Sequence, residues 1–511
     1  MIEKVGKLYR WRGSYADRDF PREMGFEWKG KQWVTQSLYV VLRSQMHGER
    51  LAQALVHELR EQLHNLEASE SSSDVLADNI PSPRGREYFP YQSAGILHAA
   101  TQLQKRHSHA IFDEQGLGKT IQAIGVANLL KLPIICVVCP ASLRLNWCRE
   151  IANWHTCGQT PLPILSGASH LPRDRSVVVS YDLAGKVLPK IKPDLLVVDE
   201  AHYIKNPQTK RAKAVLAAAA KIKTLWLSGT PLPNGRPIEL YPLLRKTAWD
   251  VLDCATYGKF LRNWCQYYAD QGTIVVTGVK NEEDLLLRLR ASGWMTRRLK
   301  SEVYKQLPAK RHDLILLSAD SNEVRRVLEQ EKNFSADEII EHGEPVGTAL
   351  PEIRKEMGLA KMPQVAEYVR TLLDGGVEKV VVFGHHVAVT EGLAELLSAY
   401  GSVLINGAVP PIERQKRVDR FQTDPACRVI VANMQAGGTG FTLTKAHDVV
   451  LAEPSWVPGV NDQACDRCHR IGQTERVIIH YMCVERSLDA KILGSAARKR
   501  THASITLDRS N

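Results

Sequence analysis

Residues 110–127 read AIFDEQGLGKTIQAIGVA, and this stretch decides how the rest of the chain is interpreted. A short apolar run leads into a glycine-bearing loop, and an apolar-periodic run typical of a helix follows Lys119 and Thr120. Backbone N–H groups of such a loop and of a helix N-terminus together form a concave anion site. The pattern predicts a triphosphate-binding loop, in which Lys119 reaches the β and γ phosphates and the Thr120 hydroxyl ligates Mg²⁺.

The candidate nucleotide-binding residues of this loop run without a break. They are Asp113, Glu114, Gln115, Gly116, Leu117, Gly118, Lys119 and Thr120. The strict P-loop pattern has glycine at position 113, where this chain has an aspartate. An ordinary strand-to-helix turn that happens to contain Gly-Lys-Thr is the alternative, and the order strand, loop, helix favours the P-loop.

Length, charge and cysteine content limit the class of protein. The chain has 511 residues, too many for one core, so two or three domains are expected. Its net charge of +11 fits a polyanionic partner. Because we find no apolar run near the ~20 residues of a membrane helix and no signal-peptide pattern, we expect an intracellular soluble protein without a membrane partner. Two Cys-x-x-Cys pairs, Cys136/Cys139 and Cys465/Cys468, are interpreted as buried free thiols rather than a zinc site.

Residues 1–66 are expected to form a small N-terminal module. Trp28 and Trp33 flank a Lys-Gly-Lys turn, which predicts a hairpin, and the β-branched and aromatic run that follows predicts a further strand. Leucines at helical spacing predict a helix over 51–66. The tryptophans lie among arginines and lysines, so they could stack on bases beside bound phosphates, or they could form the core of the module. We expect a nucleic-acid contact, tied by a flexible Ser-, Asp- and Pro-rich linker (67–87) to a motor whose chemistry it leaves alone.

From about Tyr88 onward, short apolar runs alternate with helical patterns, which predicts parallel sheets covered by helices on both faces. The alternation occupies 88–235 and again 359–511. Residues 236–358 between them are aromatic and basic, and we expect a largely helical insertion and connection there. The predicted strands are 110–112, 134–139, 176–180, 195–198 and 224–227, then 379–383, 403–405, 428–431, 448–451 and 477–482. Two similar halves suggest one cleft with a ligand bound across it.

The sequence LLVVDEAH at 195–202 is a buried strand that ends in two carboxylates. Ligands of α/β sheets bind at this edge of the sheet. Asp199 can hold Mg²⁺ through its water shell, and Glu200 can orient and deprotonate an attacking water. A strand that simply stops at a charged loop is the alternative. A further apolar strand ends in Ser-Gly-Thr-Pro at 228–231, whose hydroxyls could relay the state of the γ-phosphate site.

Several motifs occur in a fixed order along the chain. They are DEQGLGKT (113–120), DEAH (199–202), SGTPLPN (228–234), AGGTGFTLTKA (436–446) and QACDRCHRIGQ (463–473). Together they resemble the superfamily-two helicase-like ATPases of the SWI/SNF type, whose P-loop usually begins Asp-Glu, which accounts for Asp113. Further matches are Tyr91-Gln92, CPASLRLNW (139–147) and RRLKSEVYKQLPAKR (297–311), which joins the lobes in that family. FGHH (383–386) and INGAVPPIERQKRVDRFQ (405–422) are similar to the annealing-helicase branch, which rewinds DNA at stalled forks. The N-terminal module lies outside the resemblance.

The resemblance implies roles for further residues. Gln92 would read the adenine, and Gly440 with the glycines before it would approach a phosphate, next to Phe441 where the family more often has leucine. Arg467 and Arg470 match the family's arginine fingers, and their i, i+3 spacing predicts one helix face aimed across the cleft. Such a guanidinium is worth about 10³–10⁵ in rate.

The implied fold is α/β, with two RecA-like lobes built on parallel sheets, a largely helical insertion between them and a small β-rich N-terminal module. The implied ligands are ATP, Mg²⁺ and DNA, the DNA double-stranded or forked. We therefore expect an ATP-dependent translocase that remodels or reanneals double-stranded DNA. A strand-separating DNA or RNA helicase is one alternative, and a non-hydrolysing DNA-binding scaffold is another. The scaffold alternative is disfavoured because the chain retains the residues expected for hydrolysis, Lys119, Asp199, Glu200 and Arg470.

Overall fold

The computed structural model describes residues 1–493 apart from short gaps. The undescribed residues are 7, 15–16, 36, 72–79, 167–170, 173, 233–234, 253–255, 271–272, 304–309, 337–338, 340–348, 435–440, 456–457, 471, 492 and 494–511. In the part of the chain that it describes, no helix is long and apolar enough to cross a bilayer.

The N-terminal module is a four-stranded antiparallel sheet with four helices. Its elements are β1 (Ile2–Val5), β2 (Leu8–Trp11), α1 (Asp19–Met24), β3 (Glu27–Lys29), β4 (Gln32–Thr35), α2 (Leu38–Met46), α3 (Gln53–Glu58) and α4 (Arg60–Glu70). The strand order is β1-β2-β4-β3. The predicted hairpin is confirmed, since Trp28 pairs with Trp33. The predicted further strand is wrong: that run is α2, because burial of Val41 and Leu42 on one helical face overrides its β propensity.

The first lobe alternates strands and helices as predicted. Its elements are α5 (Pro90–Lys105), β5 (Ser108–Ile111), α6 (Lys119–Leu129), β6 (Ile135–Cys139), α7 (Arg144–Trp154), β7 (Leu162–Ile164), β8 (Val177–Ser180), α8 (Tyr181–Val187), β9 (Leu195–Asp199), α9 (Lys210–Ala219) and β10 (Thr224–Leu227). All five predicted strands are confirmed. Each is buried on both faces, and Cys136 and Cys139 of β6 lie in separate hydrophobic clusters on opposite faces. Burial raises the pKa of the Cys136 thiol to about 12, so it stays protonated and inert.

The region between the lobes contains helices and strands. Its elements are α10 (Tyr241–Thr247), α11 (Tyr257–Trp264), β11 (Cys265–Asp270), β12 (Thr273–Val279), α12 (Glu282–Ala291), β13 (Met295–Thr296) and α13 (Lys300–Val303). The antiparallel hairpin β11–β12 was not predicted. Strand β13 joins the first lobe, whose parallel sheet has the order β13-β5-β10-β9-β6-β8-β7. Strands β7 and β13 escaped prediction because they have only three and two residues.

The second lobe repeats this architecture. Its elements are β14 (Arg311–Leu317), α14 (Asn322–Glu331), α15 (Leu350–Asp374), β15 (Val380–Gly384), α16 (Val387–Leu396), β16 (Val403–Ile405), α17 (Pro411–Thr423), β17 (Val429–Asn433), β18 (Asp448–Leu451), α18 (Pro458–Cys465) and β19 (Ile478–Val484). The parallel sheet has the order β14-β19-β18-β15-β17-β16. The α/β fold with two RecA-like lobes is thus confirmed, and β14, within the predicted interlobe connection, is an edge strand of the second sheet.

The N-terminal module is docked on the first lobe. Leu287 and Ala291 of α12 belong to the same hydrophobic cluster as the core of the module. Asn65 of α4 donates to Ala291 O at 3.0 Å and accepts from Gln102 Nε2 at 2.8 Å. Helix α4 also continues to Glu70, into the predicted linker. Residues 72–79 of the predicted linker lie outside the described residues, whereas apolar burial and buried polar contacts fix α4, including 67–70, to the motor.

Candidate active site

The predicted phosphate-binding loop connects β5 to α6 at the carboxyl end of the first parallel sheet. Gly116 and Gly118 have φ angles of +88° and +73°, which a residue with a Cβ adopts only with strain. A Cβ on Gly118 would also lie 2.4 Å from Gln92 Nε2. Both the backbone conformation and the lack of space for a Cβ therefore require glycine. A loop that presents backbone N–H groups to an anion has the same requirement.

Lys119, the first residue of α6, folds back across the loop. Its Nζ donates to the carbonyl oxygens of Asp113 at 2.8 Å and Glu114 at 3.1 Å. Burial lowers the pKa of Lys119 to about 8, with the nearby Glu200 carboxylate opposing the shift. The ammonium thus remains largely protonated at neutral pH. Thr120 is half-buried in the same first helical turn.

The acidic and amide residues of the loop hold it to neighbouring segments. Asp113 is buried; its Oδ2 accepts from Gln122 Nε2 at 2.9 Å and its Oδ1 from the backbone N–H of Arg298 at 3.1 Å. Glu114 accepts from the backbone N–H of Lys300 at 2.8 Å. The loop is therefore fixed before any nucleotide arrives, and direct contact of these residues with nucleotide stays a prediction.

Gln115 and Gln92 lie beside the loop. Gln115 packs against Gly229, and its buried Nε2 has no hydrogen-bond acceptor among the described residues, so it can donate to a bound anion. Gln92 accepts from the backbone N–H of Phe89 at 3.0 Å, and its Nε2 lies 3.4 Å from Leu117 O. Gln92 thereby joins the start of α5 to the P-loop. Its adenine contact remains a prediction.

The two predicted carboxylates lie at the end of β9, beside the P-loop. Glu200 has φ +55° and ψ 55°, a left-handed conformation that a non-glycine residue adopts at an energetic cost. Asp199 Oδ2 accepts from Trp147 Nε1 at 2.8 Å. Burial and the Glu200 charge raise the pKa of Asp199 to about 6. A divalent cation bound here would offset the repulsion between the two carboxylates. The glycine-shaped loop, Lys119 and this carboxylate pair together fit a nucleoside triphosphate with Mg²⁺.

A series of contacts, polar up to Thr230 and apolar at the last step, leads from Glu200 to the second lobe. Glu200 Oε2 lies 3.4 Å from His202 Nδ1, which lies 3.3 Å from Ser228 Oγ. Ser228 Oγ accepts from Thr230 N at 3.2 Å, and the Thr230 methyl lies against Gly459 of α18. Burial lowers the pKa of His202 to about 4, so the ring is neutral. A relay through these small hydroxyl residues stays a prediction.

The two predicted arginine fingers lie just beyond a helix and not on its face. Helix α18 ends at Cys465, and Arg467 and Cys468 continue in tight turns, with backbone bonds to Ala464 O at 3.1 Å and Cys465 O at 3.0 Å. The expectation of one helix face is wrong, because the regular helix ends before Arg467 and the backbone bonds that follow are a mixture of i→i−3 and i→i−4. Gln473 stabilises these turns by donating to the carbonyl oxygen of Cys468 at 3.1 Å.

These turns nevertheless bring both arginines to the first lobe. A Cβ on Gly116 of the P-loop would lie 3.2 Å from Arg470 Cγ. Arg467 is buried; burial and the neighbouring Arg470 lower its pKa to about 9, while the charge of Glu200 opposes the shift. Gln463 of α18 donates to Glu200 Oε1 at 2.8 Å. Gly440 lies outside the described residues.

Sequence reasoning assigned no role to some residues that complete the site. Trp147 and Gln463 lie within recognised motifs, and only that membership could have indicated them. Lys300 Nζ donates to Asp466 Oδ1 at 3.0 Å and to His469 O at 2.9 Å, and Lys310 pairs with the same carboxylate. The two ammonium groups hold the pKa of Asp466 well below its usual range despite its burial. Lys300, Lys310 and Asp466 therefore hold the turns that carry the two arginines against the connection between the lobes.

Among the described residues, basic grooves also lie outside this site, and two of them contain more than one arginine. One runs between the lobes; its polar lining is Ser142, Asn146, Arg149, Arg414, Gln415, Lys416 and one carboxylate, Asp419. The other lies on the N-terminal module and is lined by Arg10, Arg12, Arg18, Arg22, Trp28, Lys31 and Trp33, among others. Trp28 is 57% exposed and packs edge-on against the half-buried Trp33 at a ring distance of 5.3 Å. Trp33 therefore supports Trp28, and the Trp28 ring is available to a ligand.

Comparisons with known proteins agree on the motor region. The SNF2-related domain matches residues 91–339, and the helicase conserved C-terminal domain matches residues 363–472. The chain is 32% identical over 468 residues to DNA annealing helicase and endonuclease ZRANB3 of Bos taurus, covering 87% of this chain and 43% of that protein. It is 30% identical over 465 residues to the SWI/SNF-related matrix-associated actin-dependent regulator of chromatin subfamily A-like protein 1 of Xenopus tropicalis, covering 86% of this chain and 48% of that protein. The chain thus spans less than half the length of these relatives.

Among solved structures, the chain is similar to the Sulfolobus solfataricus SWI2/SNF2 ATPase core in complex with dsDNA. It superposes with a TM-score of 0.40 at 22% identity, covering 83% of this chain and 98% of that chain.

Proposed function

We propose that this chain, which belongs to the SWI/SNF type of superfamily-two helicase-like ATPases, hydrolyses ATP and uses the energy to move along double-stranded DNA. The observation that carries the proposal is the meeting of both lobes at one site. Gln463 of the second lobe donates to Glu200, and Arg470 lies against the P-loop glycine Gly116. A site assembled from two lobes completes its chemistry only when they close, so hydrolysis and lobe movement are coupled.

Each residue at the cleft has a role that its position supports. The loop N–H groups and Lys119 bind the β and γ phosphates. Thr120, and Asp199 through water, would hold Mg²⁺, which would supply charge stabilisation. Glu200 orients the attacking water and accepts its proton. Arg467 and Arg470 then stabilise the charge that develops on the transferred phosphoryl group.

The interlobe groove is where we place the DNA backbone. Arg149 comes from α7 of the first lobe, and Arg414 and Lys416 come from α17 of the second. Cations from both lobes that contact successive phosphates would be displaced relative to each other when the cleft closes. Alternating grip on phosphates gives movement without reading base sequence. The net charge of +11 supports a polyanionic track.

Reannealing of forked DNA is the activity that we favour for this motor. The names of the ZRANB3 relatives include "DNA annealing helicase", which favours rewinding over strand separation. The groove on the N-terminal module adds an exposed aromatic ring among arginines, the combination that binds unpaired bases. A junction offers duplex to the motor and unpaired bases to the module.

A single experiment separates the candidate functions. ATP turnover is measured without nucleic acid and with duplex DNA, single-stranded DNA, forked DNA and RNA, and forked substrates are then tested for strand separation and annealing. A translocase that reanneals DNA shows turnover stimulated by duplex or forked DNA and joins strands. Net strand separation would support the unwinding alternative, and absence of turnover on every substrate would support the scaffold.

A further inference from the structure

One buried arginine joins the N-terminal module to the P-loop. Arg298 is fully buried, and its Nε donates to Ser71 O at 2.6 Å and its Nη2 to Ala68 O at 3.1 Å. Its Nη1 lies 3.5 Å from Asp113 Oδ1, and its backbone N–H donates to the same oxygen at 3.1 Å. The guanidinium therefore bridges the end of α4 and the first acidic residue of the P-loop.

The end of α4 is a suitable partner for this guanidinium. The last four carbonyl groups of a helix have no partner within it, and the helix C-terminus carries partial negative charge. Ala68 and Ser71 supply two such carbonyls. A buried guanidinium is costly unless its N–H groups have acceptors, so Arg298 depends on the module as much as on Asp113. If α4 moved, the buried guanidinium would lose two of its three acceptors and would no longer be held in place beside Asp113.

The position of Asp113 in turn determines the shape of the loop. Gln122 Nε2 bonds both Asp113 Oδ2 at 2.9 Å and Leu117 O at 3.3 Å, which couples the two ends of the loop. The carbonyl of Asp113 accepts from Lys119, the phosphate-binding lysine. The backbone N–H of Glu114 donates to Arg298 O at 2.9 Å. A displacement of Arg298 is thereby transmitted directly to the groups that bind phosphate.

We propose that the N-terminal module positions the P-loop, with Arg298 as the positioning residue and docking of α4 as the condition for full nucleotide affinity. The inference rests on the proposed function only for the identity of the nucleotide. It replaces the picture of a module that acts on DNA alone. A ligand that shifts α4 when it binds the module would change the affinity of the motor for ATP.

The test measures the affinity of the full-length chain for a fluorescent ATP analogue with Mg²⁺, without DNA. Arg298→Met removes the charge and the donors. Ala68→Pro breaks the last turn of α4, which presents the acceptors, and leaves Arg298 intact. Lys105→Ala is the matched control, because it removes an exposed ion pair between α5 and Glu61 of α4 that does not involve Arg298. Circular dichroism and thermal melting check that each variant is folded.

We expect Arg298→Met and Ala68→Pro each to weaken binding about tenfold, and Lys105→Ala to leave it unchanged. The variant that combines Arg298→Met with Ala68→Pro should bind the analogue no more than about twofold more weakly than Arg298→Met alone. Both changes disrupt the same contact between α4 and Arg298, so their effects should not add. Wild-type affinity in folded Ala68→Pro, or additive losses in the double variant, overturns the inference.

Arg298→Lys keeps the test decisive if the stronger variants do not fold. A lysine retains the charge but cannot reach three acceptors with a planar fork, so we expect a three- to tenfold loss of affinity. Wild-type affinity in Arg298→Lys overturns the inference. A wild-type chain that binds the analogue but is not stimulated by DNA contradicts the proposed function and leaves this inference standing.

Discussion

Gln463 of the second lobe donates a 2.8 Å hydrogen bond to Glu200 of the first, across the cleft between the lobes. Glu200 already has a strained left-handed backbone, and its second carboxylate oxygen faces His202. The candidate general base is therefore held from both lobes at once. Its ability to receive a proton from water depends on how the second lobe is placed.

A change at this contact should impair catalysis more than binding. Gln463→Glu puts a second carboxylate beside Glu200, and like charges at hydrogen-bond distance repel. We expect DNA-stimulated turnover to fall at least tenfold while affinity for the ATP analogue changes less than threefold. Gln463→Met, which is of similar size and uncharged, serves as the control and should lose less. Equal turnover in the Glu and Met variants would show that a charge at position 463 does not affect the function of Glu200 as a base.

Lys119→Ala and Glu200→Gln should abolish turnover by different routes. Lys119→Ala removes the cation that binds the phosphates, so nucleotide binding should weaken. Glu200→Gln keeps the shape but cannot accept the proton, so the nucleotide should remain bound while turnover falls about 10²-fold or more. Binding and single-turnover hydrolysis, measured separately, distinguish the two. Turnover like that of the wild type in Glu200→Gln would remove this residue from the base role.

The sequence predicted the two sheets well for a physical reason. Strands buried on both faces are continuous apolar runs, and the ten such runs are all strands. The P-loop and the carboxylates at the end of β9 followed from chemistry that needs particular residue types in a particular order. Local patterns could not predict α2, since its β-branched run becomes helical through tertiary burial of Val41 and Leu42.

Contacts between distant segments lay beyond sequence reasoning. The bond from Trp147 to Asp199 and the bridge from Arg298 to α4 depend on how folded segments meet. The family resemblance placed Arg467 and Arg470 at the cleft. It did not show that they lie in turns after α18, because the tightening of a helix end is set by local hydrogen bonds such as those from Gln473.

The exposed tryptophan of the module should contribute to DNA affinity. Base stacking on an aromatic side chain is worth about 1–3 kcal/mol, so Trp28→Ala should weaken binding to forked DNA roughly tenfold. Trp28→Phe keeps a stacking ring and should lose less. Fluorescence anisotropy with forked and plain duplex DNA measures both. Equal affinities for the wild type and a folded Trp28→Ala variant would place the contact elsewhere and favour a protein partner for this groove.

The first lobe should lose stability in acid through a buried histidine. His109 Nδ1 lies 2.9 Å from Gly293 O, and burial lowers the pKa of His109 to about 3. Below its unfolded value of about 6.5, the unfolded chain binds a proton that the folded chain does not, so stability falls as pH falls, by roughly 1.4 kcal/mol per pH unit.

His109→Asn removes this titration, and its amide nitrogen, which lies near the Nδ1 position of the histidine, keeps a donor for the Gly293 carbonyl. Urea unfolding between pH 7 and pH 5 should therefore show a shallower loss of stability in the variant than in the wild type. The quantity compared is the change in the free energy of unfolding with pH, because the substitution itself lowers stability at every pH. Equal slopes in the wild type and the variant would contradict the lowered pKa of His109.

Steady-state ATP turnover by the full chain, measured with and without duplex DNA over a range of salt concentrations, tests directly whether this chain is a DNA-driven motor. We expect low turnover without DNA and strong stimulation by duplex. The DNA concentration for half-maximal stimulation should rise steeply with salt, as release of counterions from several phosphates requires. Glu200→Gln should remove the stimulated turnover. Turnover that is independent of DNA, or stimulation that is indifferent to salt, would contradict a motor that moves on the DNA backbone.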